Sequence, residues 1–75
     1  MLEPLQVPAQ TQPHVNLYVP SGNAIYEIVD VQGYADDPEI TLKRCAYDGT
    51  LVEPTIVKLF SELQANNYLV IRSSN

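Results

Sequence analysis

Cysteine, tryptophan, glycine and positive charge are all scarce in this chain, with one, none, three and four residues among 75. A single Cys45 excludes an intrachain disulfide and agrees with a reducing compartment. Without a cluster of Cys and His there is no structural zinc pattern. No apolar run approaches the ~20 residues that cross a bilayer, and the opening MLEPLQVPAQ lacks the basic region of a signal peptide. The expectation is therefore a cytoplasmic protein with no membrane partner. Lys43, Arg44, Lys58 and Arg72 are too few and too scattered to form an evident phosphate-binding patch, and a formal net charge of -5 repels nucleic acid. The carboxylates are in turn too sparse for a DNA mimic.

What is present is the composition of one small globular domain, 45% hydrophobic and 17% charged. A chain this short buries only about 60% of the surface it exposes when unfolded, so few residues can be spared from the core. Residues 1–14 hold Pro4, Pro8 and Pro13 among Gln, Thr and Ala and read as a flexible, extended arm. Leu5 and Val7 give that arm apolar contacts to offer a partner or a second copy. His14, with no second candidate ligand nearby, reads as solvated or capping.

The domain proper is expected over 15–72, followed by a polar tail, 73–75. Val15, Leu17 and Val19 alternate with Asn16 and Tyr18 as in a half-buried strand over 15–19, and Pro20-Ser21-Gly22-Asn23 is turn chemistry. Strands over 24–33 and 39–47 follow, joined by the loop Ala35-Asp36-Asp37-Pro38. Setting Tyr34 opposite Glu39 places Val31 against Leu42, Ile28 against Cys45, Tyr26 against Tyr47 and Asp30 against Lys43. In that register the apolar face changes sides between Ile28 and Val29, which points to a strongly bent ribbon folded into a small barrel.

Asp48-Gly49 marks another turn, and Leu51-Val52 a very short strand. Ile56, Phe60 and Leu63 recur at helical spacing after Pro54 and Thr55, predicting a helix over 55–65 that Asn66-Asn67 would stop. Tyr68 to Arg72 reads as a closing strand over 68–72. The fold class is thus mainly β with one short helix.

This layout, carried by GNAIYEIVDV and then EITLKRCAYDGT, resembles the small SH3-like and Tudor-like barrels, including accessory proteins of phages and plasmids, over Val15 to Ile71. Tudor-like modules that read methylated side chains use an aromatic cage, for which the resemblance offers Tyr26, Tyr34 and Tyr47. The register sets Tyr26 and Tyr47 away from the face of Val29 and Leu42.

Chemistry-bearing patterns are few. There is no phosphate-binding glycine loop, nucleophile elbow or paired metal-ligand spacing, so neither an enzymatic activity nor a cofactor is expected. Cys45 reads as a small hydrophobe, and Asp36, Asp37 and Glu39 as a solvated loop. The leading expectation is a non-enzymatic module that binds a protein partner or itself, with Tyr18, Tyr34, Tyr68, Leu5 and Val7 as candidate contacts. The alternatives are a nucleic-acid-associated regulator, with the four cations gathered on one side, and a mobile-element accessory protein that inhibits a host factor.

Overall fold

The computed structural model describes residues 1–33 and 35–72. Along the chain run β1 (Leu2–Pro4), β2 (Asn16–Val19), β3 (Ala24–Gln32), β4 (Glu39–Cys45), β5 (Leu51–Leu59), the helix α1 (Phe60–Ala65) and β6 (Leu69–Ile71). The strands form a single antiparallel sheet in the order β1-β6-β2-β3-β4-β5. The protein is mainly β with one short helix, but the barrel is not closed. β1 and β5 stand at the two ends of the strand order and do not pair with each other among the described residues.

The N-terminal segment is part of the fold, which corrects its reading as a flexible arm. Leu2 pairs with Ile71 and Pro4 with Leu69. A 3-10 turn over Pro8–Gln10 then reverses the chain. Proline does not prevent this, because β1 is an edge strand and Pro8 begins a helical turn, where a missing N–H costs little. Between these pieces Leu5 is buried in the core. Thr11 is fully buried as well, its hydroxyl donating to the Pro8 carbonyl at 2.6 Å.

The β3–β4 ribbon runs in a different register from the one the loop signal implied. Val31 faces Ile40, Gln32 faces Glu39, and Ile28 faces Leu42. Gly33, at φ +99, ends β3 early, so the connection takes in residues 33–38. A bulge at Val29, between the pairs Ile28↔Leu42 and Asp30↔Thr41, shifts the phase of the strand by one residue. The apolar side change between Ile28 and Val29 is therefore real in sequence, but its cause is the bulge. The extra residue lets Tyr26, Ile28 and Val31 all pack on one core. Asp30, expected opposite Lys43, instead accepts from Gln32 Nε2 at 2.6 Å, while Lys43 Nζ lies 3.0 Å from Glu53 Oε1.

The stretch 55–59, expected to be helical, continues β5 across from β4, with Ile56 against Leu42 and Lys58 against Ile40. Thr55, Ile56 and Val57 are β-branched, and their stiff side chains suit a pleated surface better than a helix. Only Phe60–Ala65 is helical. The acidic loop caps it: Ser61 donates from its backbone N to Asp37 Oδ1 at 2.9 Å and from its hydroxyl to Asp37 Oδ2 at 3.0 Å. Glu62 reaches back to the Leu59 N–H at 2.9 Å, the second half of an N-terminal cap. At the other end Asn67 adopts φ +60, and Tyr68 N–H donates to the Leu63 carbonyl at 3.1 Å, the helix stop that Asn66-Asn67 signals.

The core gathers Leu17, Ile28, Ile40, Leu42 and Val70 from the sheet, Phe60 and Leu63 from α1, and Leu5 from the N-terminal segment. Each such side chain, fully buried, contributes about 1.5–3 kcal/mol of transfer free energy.

Candidate functional site

The residues expected to form a contact patch are dispersed. Leu5 is 4% exposed and Tyr68 is half-buried, both within or against the core. The Tyr68 ring stands 6.4 Å from that of Tyr26, and burial first, then Tyr26, pushes its phenol up from the ordinary range. Tyr18 spends its hydroxyl on Asn23 Oδ1 at 2.8 Å. Val7 is exposed and follows β1, which stands at the opposite end of the strand order from β5. Tyr34 lies outside the described residues, as do residues 73–75.

The apolar surface that remains uncovered belongs largely to β5 and to the end of the ribbon beside it. Leu51, Val52, Val57 and Leu59 are 37%, 38%, 55% and 38% exposed, all on one nine-residue strand. β5 ends the sheet order, so its outer edge pairs with no strand among the described residues. An open edge of this kind can accept another strand, but part of its row of donors is already used: Thr55 N–H donates to Glu53 Oε2 at 3.1 Å, Leu59 N–H donates to Glu62 Oε1 at 2.9 Å, and Pro54 has no N–H. Sequence reasoning missed this edge because it assigned 55–65 to a helix. The β-branched run Thr55-Ile56-Val57 was the signal that could have found it.

Next to the Leu51–Val52 end of β5 lies a cleft of about 450 Å³. Ala24, Ile25, Ala46, Tyr47 and Val52 supply its apolar walls, and Arg44 is its charged group. Arg44 is the cross-strand neighbour of Val52 and of Tyr26. Like Lys58, it carries no ion pair among the described residues, and of the two it is the one that lines a cleft. Lys43 is paired with Glu53, and Arg72 Nε lies 2.9 Å from Glu3 Oε1, whereas Arg44 makes no ion pair among the described residues. Two of the four cations expected to gather for nucleic acid are thus already neutralised.

A second cleft, of about 540 Å³, runs between the N-terminal segment and β2 and β6, with Val7, His14, Asn16 and Arg72 among its lining. Asn16 Oδ1 is buried there without a hydrogen-bond partner. His14 holds φ +75 and is largely exposed, its Nδ1 3.5 Å from Glu27 Oε2.

Cys45, half-buried, is not poised for nucleophilic chemistry. Burial first, and then the Glu27 carboxylate, pushes its thiol above the ordinary range, which keeps it protonated at neutral pH. No hydrogen bond joins it to His14 among the described residues. Nor are three His, Cys, Asp or Glu side chains gathered there as a metal ion would need. Comparison with protein-family models, with curated proteins and with solved structures finds no match to this chain.

Proposed function

We propose that this protein is a non-enzymatic interaction module that engages a protein partner through the open edge of β5. The observation that carries the reading is the exposure of Leu51, Val52, Val57 and Leu59 on a strand that ends the sheet and whose outer edge pairs with no strand among the described residues. Small proteins guard such edges with charges, bulges or coverage, because an exposed apolar edge invites another strand. Here the guards are Glu53, Pro54 and Lys58, and the charge of the first is paired with Lys43. Strand addition supplies affinity through main-chain hydrogen bonds and specificity through alternate side chains.

The test places a charge on the edge without touching the core. Val57→Lys, at a 55% exposed position, should leave the thermal melt unchanged while abolishing retention of the partner from a native lysate. A partner retained equally by the Val57→Lys protein would overturn the reading.

A further inference from the structure

We infer that the Arg44 cleft is the specificity pocket of this interaction, and that it takes a carboxylate side chain from an extended partner segment whose neighbouring residues are aliphatic. The inference rests on the β5 reading above. It begins with charge: nine acidic residues stand against four cations, and two of those cations carry no carboxylate among the described residues. Lys43 and Arg72 are paired, Arg44 and Lys58 are not among the described residues, and Arg44 alone of these two lines a cleft.

The surroundings of Arg44 then select the ligand. Ile25, Tyr47 and Val52 are all exposed beside it, at 41%, 112% and 38%, and with Ala24 and Ala46 they make a mainly apolar wall, with Asn23 and the Tyr47 hydroxyl as its polar side-chain groups besides Arg44. A partner seated there would exclude water, and an arginine–carboxylate pair strengthens as water leaves, provided both ions find their hydrogen bonds. The planar guanidinium favours a carboxylate that it can hold with two parallel bonds. At about 450 Å³ the cleft falls within the roughly 300–1,000 Å³ usual for recognition pockets and accommodates one acidic side chain with apolar flanks.

Position ties the cleft to the edge. Val52 belongs to both, and Arg44 is its cross-strand neighbour, so a strand laid along the Leu51–Val52 end of β5 passes the mouth of the cleft. The site combines a main-chain rail, an apolar wall and one cation. An apolar segment without a carboxylate would leave Arg44 desolvated and unpaired, which is how the pocket discriminates.

Two fluorescein-labelled seven-residue peptides test this, one with a central Glu flanked by valines and one with Gln in its place, titrated by fluorescence polarisation into the full chain. The Glu peptide should bind roughly ten- to hundredfold more tightly than the Gln peptide, and less tightly at 1 M salt than at 0.1 M. Arg44→Gln should erase that difference and Arg44→Lys should retain part of it, with melts of both variants near that of the unaltered protein because Arg44 is exposed. Equal binding of the two peptides, lost in Val57→Lys, would overturn the cleft assignment and leave the β5 reading standing. No binding of either peptide, together with a partner retained by Val57→Lys, would overturn both. Self-association abolished by Arg44→Gln would assign the cleft to a second copy of the chain and overturn the inference.

Discussion

At the scale of single residues, the electrostatics of the protein are a set of short local arrangements, and Glu53 is the most connected of them. Its carboxyl is held below the usual carboxylate range by the Lys43 ammonium at 3.0 Å, and further by the Thr55 hydroxyl and backbone N–H. A carboxyl whose folded pKa is depressed contributes stability above its unfolded pKa, and that contribution disappears as pH falls through the folded value. The group is fully exposed, so the effect is small and must be isolated from the relief of a net charge of -5 that acidification also brings. A double-mutant cycle with Lys43→Met and Glu53→Gln does this. The coupling should be measurable in urea titrations at pH 7 and absent at pH values below the carboxylate range. A coupling that persists in acid would place the interaction elsewhere. Asp48 follows the same logic on a smaller circuit, its carboxyl lowered by the Thr50 hydroxyl and backbone N–H within one turn.

At the scale of elements, the bulge at Val29 decides how the central ribbon meets the core. Tyr26 and Ile28 share one parity along β3 and Val31 has the other, yet all three pack on the same cluster because Val29 is the extra residue between them. Deleting Val29 therefore leaves Ile28 and Val31 two positions apart, still on one face, and the variant should fold with a modestly lowered melting temperature. Deleting Thr41 from β4 makes Ile40 and Leu42 adjacent, forcing one of two fully buried side chains to the opposite face, a loss of about 2–5 kcal/mol. That variant should show no cooperative thermal transition by circular dichroism, and equal behaviour of the two deletions would refute the role given to the bulge. The same ribbon shows what the sequence made legible. β2, β3 and β4 were readable because turn residues bracket alternating or apolar runs, and Asn67 was readable as a helix stop by its tolerance of positive φ. The parity change was readable too, but a bend and a bulge leave the same trace in sequence, and only the pairing separates them. Of β5 only Leu51-Val52 was readable as a strand, and its continuation over 55–59 was not, since Ile56, Phe60 and Leu63 satisfy a helical spacing while Ile56 and Lys58 satisfy a strand's. In a short apolar run the two periods coincide. With that continuation went the length of the exposed edge, while Arg44 and Val52 stood in the sequence without the pairing that makes them neighbours.

At the scale of the whole molecule, an open sheet of short strands in a chain this small has little stability in reserve, about 5–15 kcal/mol for domains generally and toward the lower end here. The N-terminal segment is where that reserve is most exposed to change. β1 sits outside β6, and β6 in turn is the link between β1 and β2, so residues from opposite ends of the sequence must meet before the sheet is complete. Leu5 joins that edge to the interior: its side chain is buried with Leu63 and Val70 in the core, and its carbonyl accepts from Gln64 Nε2 of α1 at 2.9 Å. A flexible arm would tolerate truncation of this side chain without consequence, whereas a core residue would not. Leu5→Ala should cost about 2–5 kcal/mol, a large fraction of the total, because the cavity opens between the sheet and α1 where neither can collapse alone. The measurement is a urea titration followed both by circular dichroism and by tyrosine fluorescence, the latter reporting the Tyr26–Tyr68 neighbourhood on the core. Both signals should move to the same lower midpoint with an unchanged slope, since the segment folds with the rest as one unit. A midpoint that stays put would return residues 1–14 to the status of an arm, and two separate midpoints would divide the sheet between β6 and β2.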